Sequence, residues 1–232
     1  MTVIIITGTS TGVGKTVATA ALAVAAEATG RRVCVVKPVQ TGVATGEPTD
    51  LATVARLSGC GDVHELTRLG DPLAPDTAAR LRGLTIAPVD ELAAAIAALA
   101  ADRDVTLVEG SGGVAVRLDT NGRTLLSLTG HLVETCHDVR LVVVTSLALG
   151  TLNHTELTVA AILSAGLAPA ALVVGSLPAE LGLAERCNIE ELPRVTGVSL
   201  RGCVPAGVGG WEPDRFRQGA PGWLDSPALL DG

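Results

Sequence analysis

Six short runs of apolar, largely β-branched residues punctuate the chain, at 2–7, 33–39, 105–109, 139–146, 171–175 and 198–204. Each is apolar at successive positions rather than alternate ones and is bounded by Gly, Pro or charged residues, the pattern of a strand buried on both faces. Between most of them lie Ala- and Leu-rich stretches of helical length, such as 16–29, 89–101 and 155–165. Continuous apolar strands alternating with helices predict an α/β fold: a mostly parallel sheet with helices on both faces, in one domain spanning 1–232. Ligands of such sheets sit beyond the carboxyl ends of the strands. No internal repeat or low-complexity linker divides the chain, and the stretch from Pro205 onward, rich in Gly and Pro, reads as a loop-rich C-terminal tail.

Composition narrows the partners. The 232 residues carry 17 basic and 24 acidic side chains, a net charge of −7, which argues against nucleic acid and against an anionic membrane surface as partner. No segment approaches the ~20 apolar residues of a membrane span, and the N-terminus enters a strand without a basic leader, so a cytoplasmic address is expected. The five cysteines are widely spread without a C-x-x-C pair and read as reduced thiols, with Cys34 and Cys203 as small buried hydrophobes. Trp211, Phe216 and Trp223 are the only aromatics, so the main body has no stacking platform for single-stranded nucleic acid. Lysine occurs only at Lys15 and Lys37, the other fifteen of the 17 basic residues being arginine. The two cations are not equivalent where a compact ammonium must fit among phosphates, which marks both lysines for chemistry.

Lys15 lies in G-T-S-T-G-V-G-K-T, residues 8–16, directly after the first predicted strand and opening the first predicted helix. In that context glycine-rich backbone N–H groups and the helix N-terminus face phosphates, Lys15 reaches the outer ones, and the Thr16 hydroxyl is placed for Mg²⁺. The spacing from Gly8 to Gly14 is one residue longer than the standard phosphate-binding loop, whereas T-G-V-G-K-T is a compact match. A nucleoside triphosphate is the ligand this segment predicts, on a fold of the P-loop NTPase type.

Lys37 closes the second predicted strand in V-V-K-P-V-Q-T-G, where Pro38 would end the ladder. The third run delivers Glu109 into G-S-G-G, placing a carboxylate for Mg²⁺ and glycine N–H groups for an anion. Asp50 follows Thr49 at a predicted helix start, where either can be the N-cap, and Glu47 competes with it as a metal ligand. Residues 150–154, G-T-L-N-H, begin a helix after a strand and offer an anion site in principle, with Asn153 equally readable as its cap and His154 as an ordinary hydrogen-bonding residue.

Together T-G-T-S-T-G-V-G-K-T (7–16), K-P-V-Q-T-G (37–42), V-E-G-S-G-G (108–113) and L-G-T-L-N-H (149–154) resemble the dethiobiotin synthetases of biotin biosynthesis, in order and spacing over about residues 1–206. The resemblance implies an ATP-dependent ligase that takes 7,8-diaminononanoate and CO₂ and closes a ureido ring through a carbamic-phosphoric anhydride. It implies that Lys15, Lys37 and Thr11 act on the reacting groups and that Thr16, Asp50 and Glu109 hold Mg²⁺. Gly12, Val13, Gly14 and Val17 would join them around the nucleotide, with Gly110, Ser111 and Gly112 beside the phosphates and carbamate. Gly175, Ser176, Val204, Pro205 and Ala206 would border the base, although adenine-selective members often carry an Asn where this chain has Gly175 and Ser176. The diamine would meet Lys37, Thr41, Pro72 and Leu73, and its distal carboxylate would meet Gly150, Thr151, Leu152 and Asn153 across the interface of a homodimer.

Two rival readings use the same loop. A regulatory or partition-type ATPase typically carries a second lysine early in the loop, where Thr9 and Ser10 stand here. A synthetase-like binding module would have lost a catalytic residue, and none of those above is missing.

Overall fold

The computed structural model describes residues 1–43 and 46–231. The chain runs β1 (Thr2–Gly8), α1 (Lys15–Glu27), β2 (Val33–Lys37), β3 (Gln40–Thr41), α2 (Asp50–Ser58), β4 (Val63–Glu65), β5 (Arg68–Leu69) and α3 (Pro75–Leu81). It continues through α4 (Val89–Ala100), β6 (Val105–Glu109), α5 (Leu125–Thr135), β7 (Val139–Thr145), α6 (Thr151–Ser164), β8 (Pro169–Leu177), α7 (Leu183–Thr196), β9 (Leu200–Pro205), α8 (Pro213–Gly219) and α9 (Ser226–Leu230). Seven strands form one parallel sheet in the order β4-β2-β6-β1-β7-β8-β9, and β3 with β5 makes a two-stranded parallel ribbon.

The apolar runs are continuous because both faces are covered. Val3 and Ile5 point into a core shared with α4, α5, α6 and α7, while Ile4 and Ile6 point into a second core beneath α1 and α2. Strand β1 lies between β6 and β7, with Ile5 opposite Val108 on one side and Leu141 on the other. The chain leaves β1 toward one half of the sheet and returns to the other half after β6, so the strand order reverses around the carboxyl end of β1 and opens a crevice there. Helix α1 is buried along most of its length between the sheet, α2 and the C-terminal turns, a position that its Ala-rich sequence suits by adding helix propensity without bulk.

The tail differs from the loop expected of it. Residues 205–231 contain α8, α9 and two single 3₁₀ turns, with Phe216, Leu229 and Leu230 buried in the core beneath α1 and α2. Prolines there sit at the first positions of the short helices, where they start a helix rather than break it. Phe216 and Trp223 meet edge to face at 5.1 Å between ring centroids. Elsewhere β2 stops at Lys37, one residue before Pro38, and α6 begins at Thr151 rather than 155 because Gly150 turns the chain through φ 94°. Strands β3, β4 and β5, of two or three residues, are too short to leave a periodic trace. Among the described residues no helix is long and apolar enough to cross a membrane and none of the cysteines is paired.

Candidate active site

The loop between β1 and α1 wraps the positive end of that helix. Gly14, at φ 97°, is the residue before Lys15, and its α-carbon is pressed against β8: a Cβ there would lie 2.3 Å from the carbonyl oxygen of Gly175. The reverse substitution is equally blocked, since a Cβ on Gly175 would lie 2.1 Å from the carbonyl oxygen of Val13. Two glycines on different elements thus allow the loop to seat directly on the sheet.

Beside this loop opens a cavity of about 670 Å³. One wall is Thr11, Gly12, Gly14, Lys15, Thr16 and Val17, and the facing wall is Gln40, Thr41, Pro72, Leu73 and their neighbours. Lys37, Asp50, Glu109, Ser111 and Gly112 join the two. Lys37 is buried at the end of β2, and its ammonium has three acceptors: Asp50 Oδ2 at 2.6 Å, Glu109 Oε1 at 2.8 Å and the Gly110 carbonyl at 3.3 Å. Burial pulls the Lys37 pKa down, but the charges and hydrogen bonds of Glu109 and Asp50 outweigh it, so the pKa stands above that of an ordinary lysine. Lys15, folded back onto the Ser10 carbonyl at 2.9 Å, goes the other way: burial lowers its pKa and the neighbouring Lys37 adds to the fall, against the attraction of Glu109 and Asp50. An anion entering the cavity would relieve both costs.

The donor set fits a hard divalent cation. Thr16 Oγ1 donates to Glu109 Oε1 at 2.9 Å, Asp50 reaches the same spot through Lys37, and the buried Glu109 Oε2 has no hydrogen-bond partner among the described residues. One hydroxyl and two carboxylates suit Mg²⁺, which keeps several positions for water and phosphate oxygens. Among the described residues no cluster of three or more His, Cys, Asp or Glu forms a closed metal cage. Thr49, not Asp50, caps α2, accepting from the Ala52 N–H, which leaves the Asp50 carboxylate free of that duty.

Other expected residues lie outside this cavity. Val13 is buried beneath the loop, and Gly175 supports the loop from β8 beside the exposed Ser176. Val204 and Pro205 end β9, and Ala206 follows it, its N–H bonding the Leu177 carbonyl at 2.8 Å. Gly150, Thr151, Leu152 and Asn153 start α6 on the far side of the loop; there His154 lines a second cavity of about 520 Å³ that shares Thr11 and Val116 with the first. The Thr151 hydroxyl is used internally, against Thr145 Oγ1 and the Ser146 carbonyl. Gln40 and Val116 line the first cavity without having been singled out; only Gln40, inside K-P-V-Q-T-G, left a visible signal.

The chain matches the family model described as an AAA domain over residues 2–207. It is 53% identical over 229 residues to the ATP-dependent dethiobiotin synthetase BioD of Rhodococcus jostii, covering 99% of this chain and 97% of that one. It is 50% identical over 232 residues to the ATP-dependent dethiobiotin synthetase BioD of Streptomyces coelicolor, covering 100% and 94%. Among solved structures it resembles the septum site-determining protein MinD of Pyrococcus horikoshii complexed with Mg-ADP (TM-score 0.54, 19% identity, 99% of this chain and 93% of that one). It likewise resembles a ParA family ATPase of Chlorobium tepidum (TM-score 0.56, 12% identity, 99% and 96%). The chain spans only 64% of the longer receptor FtsY of Elizabethkingia anophelis, at TM-score 0.56 and 16% identity. These structural likenesses are of fold, and the fold is that of the P-loop NTPases.

Proposed function

Because this chain belongs to the dethiobiotin synthetase family, we propose that it is an ATP-dependent ligase that joins CO₂ to 7,8-diaminononanoate and closes the ureido ring of dethiobiotin. The observation that carries the reading is one cavity with a phosphate-binding loop on one wall and Thr41, Pro72 and Leu73 on the other, bridged by the buried Lys37. One amine adds to CO₂ and loses a proton, giving a carbamate. A carbamate oxygen then attacks the γ-phosphorus, ADP leaves, and the second amine displaces phosphate from the anhydride, losing its own proton as the ring closes.

Phosphoryl transfer brings two anions together, the carbamate and the triphosphate, before the neutral second amine closes the ring, so positioning and charge neutralisation are what the protein must supply. Lys15 and Lys37 take the phosphoryl and carbamate oxygens, with Thr11 and Thr41 adding hydroxyl contacts and Gly110, Ser111 and Gly112 bordering the reacting groups. The raised pKa of Lys37 keeps it an ammonium at neutral pH. Thr16, Asp50 and Glu109 would hold Mg²⁺, which when bound neutralises phosphate oxygens. Val17, Ser176, Val204, Pro205 and Ala206 extend the nucleotide's surroundings toward the base.

Residues 1–232 act in this reading as one domain, in the cytoplasm, and the working unit is a homodimer. Support for the dimer comes from the second cavity at the start of α6 and from the apolar Leu149 and Leu157 there, 91% and 62% exposed. A second copy would cover them and present Gly150–Asn153 to the distal carboxylate of the diamine. The mass in solution, read by light scattering, tests it.

The activity is tested by mass-spectrometric detection of the cyclic urea from 7,8-diaminononanoate, bicarbonate and Mg-ATP, with phosphate release followed with and without the diamine. Product with diamine-dependent phosphate is expected. Phosphate release indifferent to the diamine, with no cyclic product, would replace this reading by a switch ATPase.

A further inference from the structure

Gln40 is buried in the wall of the cavity, and both ends of its side-chain amide are engaged. Its Nε2 donates to the Thr41 carbonyl at 3.0 Å, and its Oε1 accepts the backbone N–H of Asp50 at 3.1 Å. The partners fix which end is which, since a backbone N–H can only donate and a carbonyl only accept. The second bond crosses from β3 to the first residue of α2. Helix starts leave their first amides without intrahelical acceptors. In α2 that of Ala52 goes to the Thr49 hydroxyl and that of Asp50 goes to Gln40.

Of the two carboxylates read as metal ligands Asp50 is the more exposed, its side chain 36% exposed against 1% for Glu109. Glu109 is fixed by its strand, and Thr16 by the helix behind the phosphate loop. Asp50 stands at the start of a helix reached through a long connection, so its carboxylate is only as well placed as its backbone.

We infer that Gln40 is a positioning residue for the Asp50 carboxylate: it holds the first amide of α2 from the neighbouring strand β3, so that Asp50 meets the cation at little cost in ordering. The inference rests on the reading of Thr16, Asp50 and Glu109 as the metal-holding set. Partners that orient a ligating carboxylate are commonly worth 10–100-fold in metal affinity. The same amide ties Asp50 to Thr41, which places the metal-holding and diamine-facing walls on one hydrogen-bonded unit.

The test is Mn²⁺ binding in the presence of a non-hydrolysable ATP analogue, followed by electron paramagnetic resonance for the native chain, Gln40→Leu, Gln40→Glu and Asp50→Asn. Hydrogen exchange at the Asp50 amide is measured in the same proteins without ligand. Gln40→Leu is expected to weaken Mn²⁺ about tenfold, to speed Asp50 exchange, and to raise the Mg²⁺ concentration needed for half-maximal turnover while kcat recovers at high Mg²⁺. Gln40→Glu keeps an oxygen for the Asp50 amide but replaces the donor facing the Thr41 carbonyl by an acceptor, so it should keep the amide protected and recover most of the Mn²⁺ affinity lost in Gln40→Leu. Unchanged Mn²⁺ affinity in Gln40→Leu would overturn the inference, as would equal impairment in Gln40→Leu and Gln40→Glu. Should Gln40→Leu fold poorly, Gln40→Ala, which removes the same two bonds without adding a branched side chain, takes its place with the same expected and overturning results. Unchanged affinity in Asp50→Asn would instead overturn the metal-site reading beneath it.

Discussion

At the amino ends of the strands, Asp62, Asp104 and Asp138 each meet an arginine: Arg103 at 2.7 Å, Arg32 at 3.2 Å and Arg140 at 2.7 Å. At the carboxyl ends of β2 and β6 the cation is a lysine, with Lys37 held at 2.6 Å from Asp50 and 2.8 Å from Glu109. The arginine pairs range from half-buried to open, Arg140 and Asp138 with side chains 15% and 36% exposed and Arg32 and Asp104 67% and 44%, against 3% and 1% for Lys37 and Glu109. A guanidinium fork clamps one carboxylate in a fixed plane, which suits an end of the sheet where nothing has to change. An ammonium is a point charge with three rotatable donors, able to serve two carboxylates in one state and an incoming anion in another. Among the described residues the cavity is lined by both lysines of the chain and by no arginine, a division of labour between the cavity and the amino ends of the sheet.

Exchanging the cation at each end tests this most severely. Lys37→Arg should lower diamine-dependent phosphate release by roughly 10²–10³-fold, the usual cost of losing one donor aimed at transition-state charge, because the planar fork does not fit the buried slot. Arg32→Lys should leave both turnover and Tm unchanged. Lys37→Ala should also cost about 3–5 kcal/mol in urea denaturation, since it strands the Glu109 carboxylate in the interior. Retention of a tenth or more of native turnover by Lys37→Arg would break the contrast.

Gly175 sharpens it on the backbone side. Its missing Cβ lets the phosphate loop rest on β8, so Gly175→Ala should cost about 1–3 kcal/mol by overpacking and weaken ATP-analogue binding measured by calorimetry. Native affinity and Tm in that variant would show that the loop can lift off the sheet without loss.

Much of this was legible in the sequence, and what escaped did so for identifiable reasons. The strand and helix succession could be read because burial on both faces writes a continuous apolar run, and Lys15, Thr16, Lys37 and Glu109 could be read because each ends or follows such a run. The C-terminal helices were hidden by prolines and glycines that resemble loop composition but occupy helix starts and ends. Thr49 and Asp50 could not be told apart as cap and ligand until the Thr49 hydroxyl was seen on Ala52 and the Asp50 carboxylate on Lys37. Gln40 escaped as a functional residue because its partner is a backbone amide ten positions away, a contact that no side-chain pattern encodes. Gly175 showed as a strand end and, through the resemblance, as a neighbour of the base, but not as a support for the loop, since close approach to Val13 and Gly14 is a property of two elements together.

The smallest effect belongs to the amino end, and its pH dependence tests whether those pairs are as passive as the comparison requires. Burial raises the Asp138 pKa, but hydrogen bonds from Arg140 and Thr2 and the charge of Arg140 outweigh it, and the carboxyl stands below the ordinary aspartate value of 3.8. A depressed folded pKa means that the carboxylate stabilises the fold above the unfolded value and that this contribution disappears as pH falls through the folded one. Asp138→Asn should therefore lose under about 1 kcal/mol at neutral pH, as a partly exposed pair does, and the gap from native should close below pH 3.8. Urea midpoints taken from pH 7 down to pH 3 would show it as a flatter acid limb in the variant, with turnover at pH 7 unchanged. A gap that persists undiminished in acid would mean that Asp138 acts through the geometry of the Thr2 and Arg140 bonds rather than through its charge, making the amino end a structural joint and not merely a solvated rim.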